Sequence, residues 1–176
     1  MARKPRILST EAELYTAAIG ALARRAHSVY EMRQYLERRS DDREMAASVL
    51  SRLRAEGLVD DARYARQFAR DRSSNRRQGS FRIARELRAR GVADTHVRAA
   101  LDELASQADE SAMIRRRIEV WLRRHAADPS SLDRAQTASL YQNLLRAGFP
   151  ADRIRAEMRR QVSPSGAVLD DDAVNE

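Results

Sequence analysis

The stretch Gly57-Leu-Val-Asp-Asp-Ala-Arg-Tyr-Ala65 holds the end of one helix and the start of the next. Gly57 is placed to close a helix in the left-handed conformation that only glycine adopts freely. Asp60 is a good N-cap, because its carboxylate accepts from the amides of the first turn. Val59 and Tyr64 then stand at N′ and N4, the positions of a hydrophobic staple. Tyr64, Ala65 and Phe68 share one helical face, and Arg63, Arg66 and Arg70 point toward the other. A chain that stops and restarts a helix within nine residues is a succession of short helices.

The same punctuation appears on both sides. Upstream, Thr10–Glu13, Ser28–Glu31 and Asp41–Glu44 have capping-box spacing. They open helices whose inward residues are Leu14, Ala18, Ala21 and Leu22, then Met32, Tyr35 and Leu36, then Met45, Val49, Leu50 and Leu53. Downstream, Gly79 marks a turn, Ile83, Ala84 and Leu87 face inward, and Gly91 ends the helix. Val92 and Val97 form a second staple around Ala93, with Leu101 and Leu104 following. Ile114, Ile118, Trp121 and Leu122 mark a helix ending before Asp128 and Pro129. Leu140, Tyr141, Leu144 and Leu145 mark another that ends at Gly148, and Phe149 and Ile154 staple a last one around Pro150.

These helices fall into three triplets. With Leu36, Leu87 and Leu144 aligned, Ser40, Gly91 and Gly148 follow four residues later. Leu50, Leu101 and Met158 follow fourteen residues later. The expected fold is all-α: three tandem three-helix, helix-turn-helix-like repeats forming an elongated, curved body. The expected boundaries are a basic tail at 1–9, repeats at 10–57, 58–105 and 106–162, and an acidic, disordered tail at 163–176. Only 6 glycines and 4 prolines interrupt 176 residues rich in Ala and Arg, both strong helix formers.

Composition excludes several chemistries. There is no cysteine, hence no disulfide, thiolate zinc site or cysteine nucleophile. The 3 histidines, His27, His96 and His125, are far apart in sequence, which argues against a multi-histidine metal site. No GxxxxGK[ST] segment offers an ATP site, and no cofactor is expected. No apolar run is long enough to span a membrane, and residues 7–26 lack a signal-peptide pattern, so a cytoplasmic protein is expected.

The net charge of +7 is a remainder of alternating blocks. Residues 61–100 alone carry +7, whereas 101–112 and 162–176 carry −4 each. The middle block holds Arg63, Arg66, Arg70, Arg72, Arg76, Arg77, Arg82, Arg85 and Arg88. Such density suits a polyanion, either nucleic acid or an acidic protein surface. A coding bias toward Arg as a generic solvated residue is the plainer account of any single one.

Two segments carry a family resemblance. Gly57-Leu-Val-Asp60-Asp61 with Arg63-Tyr64-Ala65 resembles the most diagnostic segment of the RecX family, and Gly79, Arg82-Ile83, Glu86-Leu87, Arg90-Gly91 resembles its second-repeat signature. Arg25 to Ser28 with Glu31 and Leu36 resembles its first-repeat pattern, and Ser40 departs from it where glycine is usual. The resemblance implies tandem three-helix repeats, no catalytic activity, and binding as a monomer to RecA and its filament on single-stranded DNA. It further implies suppression of the filament's ATPase, strand exchange and growth, with effects on repair and the SOS response. Direct contact with DNA stays open, as does an alternative of another class, a stand-alone helix-turn-helix-like DNA-binding protein.

Several side chains invite sharper readings. Asp60 and Asp61 are adjacent carboxylates, but capping explains Asp60 better than acid–base chemistry does. Tyr64 and Trp121 stand at apolar helical spacing and are expected in the core. His27 precedes a capping serine and is expected to be an ordinarily solvated turn residue.

Overall fold

A computed structural model describes residues 7–125 and 132–162. Regular structure among them is entirely helical: α1 (Glu11–Arg24), α2 (Val29–Glu37), α3 (Arg43–Ala55), α4 (Asp61–Ser74), α5 (Ser80–Arg88), α6 (Asp94–Gln107), α7 (Glu110–His125), α8 (Arg134–Ala147) and α9 (Ala151–Gln161). The acidic segment 163–176, the basic residues 1–6, and Asp128 with Pro129 lie outside the described residues.

Packing divides the chain into two compact units. The first is Met1–Asp71 with Ala84–Leu104, and the second is Arg72–Ile83 with Ala105–Glu176. The division passes through α4 and α5, so the middle triplet contributes to both units.

In the first unit, Leu14, Ala18 and Ala21 of α1 bury against Met32 and Leu36 of α2, Ala46, Val49 and Leu53 of α3, and Val59. Ser28 forms a complete capping box. Its Oγ accepts from the Glu31 amide at 3.1 Å, and its own amide donates to Glu31 Oε2 at 3.2 Å. The cap of α3 is Asp42 rather than the expected Asp41, accepting from the Glu44 and Met45 amides at 2.8 and 3.1 Å. The cause is Ser40, whose Oγ takes the Asp42 amide at 3.0 Å and thereby tightens the turn before the helix. The inward face of α3 shifts with it: Ala46 is buried, and Met45 and Leu50 are only partly so.

In the second unit, Ile114, Ile118, Trp121 and Leu122 of α7 pack with Leu140, Leu144 and Ala147 of α8 and Ile154 and Met158 of α9. Leu132, Phe149 and Val162 complete that core. A capping box that the sequence reading missed opens α8. Asp133 accepts from the Gln136 amide at 2.7 Å, and Gln136 Oε1 accepts from the Asp133 amide at 3.1 Å.

One turn recurs. After Gly57, Gly91 and Gly148, all at positive φ, the next amide donates back five residues: Leu58 to Leu53 O at 2.9 Å, Val92 to Leu87 O at 3.2 Å, and Phe149 to Leu144 O at 3.4 Å. This is the Schellman closure.

Candidate functional site

The signature segments build helix-to-helix junctions. Asp60 caps its own helix, accepting from the Ala62 and Arg63 amides at 2.8 and 3.1 Å. Those amide bonds, the Arg63 one foremost, hold its carboxyl below the usual range. Asp61 caps a different helix: its Oδ1 accepts from the Val29 amide, at the start of α2, at 2.9 Å. Beside it, Ser28 Oγ donates to Arg90 O, at the end of α5, at 2.6 Å. The start of α2 thus caps the end of α5, while Asp61 of α4 takes an orphan amide of α2. The approach is close enough that a Cβ on Gly91 would lie 2.4 Å from Tyr30 Cβ.

The second unit repeats this junction with other residues. The Gly79 and Phe81 amides at the start of α5 donate to Ala147 O and Gly148 O at 2.9 and 3.0 Å. The Ser80 amide donates to Glu110 Oε1 at 2.9 Å, so Glu110 stands where Asp61 stands in the first unit. A Cβ on Gly79 would lie 2.3 Å from Gly148 O, which explains the glycine better than turn geometry does.

The paired carboxylates and the glycines of the signature therefore serve architecture. Tyr64 is buried and stacked on Phe68 at 5.9 Å, and Ile83 and Leu87 are buried. Burial pushes the Tyr64 phenol up to about 12. His27 differs from the expectation: it is buried, with Nδ1 3.0 Å from Arg25 O. That burial, and then the Arg25 charge, hold its pKa below the usual histidine value.

The nine arginines of the middle block have distinct environments. In the first unit, Arg63 donates to Gly57 O, Arg66 and Arg70 share Glu103, and Arg88 Nε lies 2.6 Å from Asp94. Arg85 is exposed and makes no ion pair with a described residue. In the second unit, Arg82 reaches Arg146 O at 3.3 Å, Arg72 is partly buried, and Arg76 and Arg77 are exposed. Exposed ion pairs of this kind contribute about 0–1 kcal/mol each, so a phosphate or a foreign carboxylate can displace them at little cost.

Sequence reading missed a second basic cluster. Arg116, Arg117 and Arg124 of α7 join Arg77 around a groove of about 570 Å3 in the second unit, beside Trp121 and His125. The Arg-Arg-Arg run at 115–117, in a block 113–161 whose net charge is +6, was the available signal, but the larger +7 of residues 61–100 drew the reading to the middle block.

No helix among the described residues is long and apolar enough to cross a membrane. Residues 15–53 match the first three-helix domain of RecX, and residues 60–101 match the second. The chain is 41% identical over 140 residues to the regulatory protein RecX of Halorhodospira halophila, covering 80% of this chain and 83% of that one. It is 36% identical over 152 residues to the regulatory protein RecX of Pseudomonas putida, covering 84% and 90%. In fold it is similar to the crystal structure of RecX from Lactobacillus salivarius, with a TM-score of 0.75 over 86% of this chain and 96% of that one at 20% identity. The two sequence relatives are named as regulatory proteins. The chain belongs to the RecX family of regulatory proteins.

Proposed function

We propose that this protein regulates the RecA recombinase by binding its filament on single-stranded DNA. In this reading it acts in the cytoplasm as a monomer and restrains ATP hydrolysis, strand exchange and filament growth, thereby modulating repair and the SOS response. Membership of the RecX family is the observation that carries the proposal. The three repeats, 10–57, 58–105 and 106–162, serve as a scaffold that acts by occupancy, with no catalytic residue. Arg63, Arg66, Arg70, Arg72, Arg76, Arg77, Arg82, Arg85 and Arg88 meet an acidic protein surface or DNA phosphate. Exposure of Arg76, Arg77 and Arg85 and the weak pairing of Arg66, Arg70 and Arg88 support that role.

The test is RecA's DNA-dependent ATPase with this protein titrated in. Inhibition at stoichiometric levels, relieved by reversing Arg66, Arg70 and Arg85 to Glu, is expected. Unchanged hydrolysis at stoichiometric levels refutes the reading.

A further inference from the structure

The groove of the second unit lies among the end of α4, one face of α7, and Asn143 of α8. Positions 113, 116, 117, 120, 121 and 124 of α7 recur at helical spacing along it, alternating apolar and basic groups. None of its lining residues is Asp or Glu. Arg117 is fixed within it by an Nε bond to Asn143 Oδ1 at 3.1 Å. Burial first, and then the charges of Arg82 and Arg77, push the Arg117 pKa down. Arg77 enters from the segment between α4 and α5 with φ at 49°, a left-handed backbone that disfavours any residue but glycine.

The groove also has an aromatic wall. His125 stacks on Trp121 with centroids 4.7 Å apart and planes 16° apart. His125 Nδ1 lies 2.9 Å from Trp121 O and so donates to it, which fixes the ring plane. Trp121 is buried and His125 is exposed, so the stack runs outward from the core. Cations around a space of about 570 Å3, next to an exposed, stacked ring, match a phosphate joined to a planar base. An acidic peptide would match the cations and leave the ring unused.

We propose that this groove binds one nucleotide of a single-stranded nucleic acid, its phosphate among Arg77, Arg116, Arg117 and Arg124 and its base stacked on His125. The site does not depend on the RecA reading, because it is tested with RecA absent.

Trp121 is the only tryptophan, so its fluorescence reports on this groove directly. A short oligodeoxythymidylate added to the full chain should quench it, with affinity falling steeply as salt rises. An abasic strand of equal length should bind about tenfold more weakly, since stacking adds to the phosphate contacts. Anisotropy of a labelled oligonucleotide should show His125→Ala weakened to the abasic level and His125→Phe fully competent. Arg116→Glu with Arg124→Glu should lose about tenfold or more of the binding. Circular dichroism unchanged from wild type shows that each variant is folded. Equal affinity for intact and abasic strands overturns the proposal. So does polyglutamate quenching as strongly as the oligonucleotide, which would make the groove an acidic-peptide site. Indifference of binding to His125→Ala overturns it as well.

Discussion

Replacing Gly91 by Ala should be far more costly than replacing Gly57, although both sit at the same turn. Their φ values, 72° and 67°, are nearly equal, so the backbone penalty is shared. For an L-residue that penalty is about 1–2 kcal/mol, reduced by the roughly 0.4–1 kcal/mol that alanine gains from a less mobile unfolded chain. Around Gly57 a new Cβ meets nothing within 4 Å, so Gly57→Ala should destabilise by about 1 kcal/mol. At Gly91 the new Cβ falls 2.4 Å from Tyr30 Cβ, about 1 Å inside ordinary carbon contact. The start of α2 must then move away from the end of α5, with overpacking strain of about 1–3 kcal/mol. The 2.6 Å Ser28–Arg90 bond breaks as well, at about 1 kcal/mol. Gly91→Ala should therefore cost about 3–5 kcal/mol in total. Urea unfolding followed by far-UV circular dichroism measures both variants. Tyr30→Ala should rescue Gly91→Ala only in part, because it removes the Cγ at 2.5 Å and keeps the Cβ at 2.4 Å. Equal losses for the two glycine variants, or full rescue by Tyr30→Ala, would refute the close-approach argument and leave only backbone conformation.

Two further outcomes follow from single side chains. Burial raises the Glu31 carboxyl, but the Arg25 hydrogen bond, the Ser28 amide and the Arg25 charge outweigh it and hold the pKa below its ordinary value. Its contribution is thus present above the unfolded carboxyl value, about 4.3, and is lost as pH falls through the folded one. Glu31→Gln should lower the urea midpoint at neutral pH and converge with wild type in acid; a constant gap across that range would show that the coupling is absent. Arg77→Gly should relieve its left-handed backbone and stabilise the fold by about 0.5–1 kcal/mol while weakening oligonucleotide binding. Loss of both stability and binding would show that Arg77 is held by native contacts and not against strain.

What sequence revealed depended on how far the physical partner lay along the chain. Ser28 and Asp60 were legible as caps because each accepts from an amide two or three residues ahead. The Val59–Tyr64 and Phe149–Ile154 staples were legible for the same reason, and all four residues are buried. Asp42 was misplaced by one residue because the deciding contact is the Ser40 hydroxyl, which takes the Asp42 amide and leaves the Asp42 carboxylate to the Glu44 and Met45 amides. Asp61 and Glu110 were beyond reach: their amides sit 32 and 30 residues away, and nothing local distinguishes them from solvated acids. The charge block showed the same limit. Arg66 and Arg70 look free in a one-dimensional count, but folding brings Glu103 to them from the acidic block. Arg116, Arg117 and Arg124 look like a solvated stripe until the end of α4 and Asn143 close a groove around them.

The junctions also impose an order on how the chain acquires its structure. The start of α2 has its own capping box and gains Asp61 and Arg90 from the next triplet. The start of α5 relies on Glu110, Ala147 and Gly148, all from the third triplet. The start of α8 closes on itself through Asp133 and Gln136. During synthesis, α5 therefore emerges about sixty residues before the carbonyls that complete its first turn, at roughly 5–20 residues per second. Its final register waits on chain made last, while the last triplet waits on nothing beyond itself. A ribosome-bound chain stopped before Glu110 should expose the α5 amides to rapid exchange, and release of the full length should protect them.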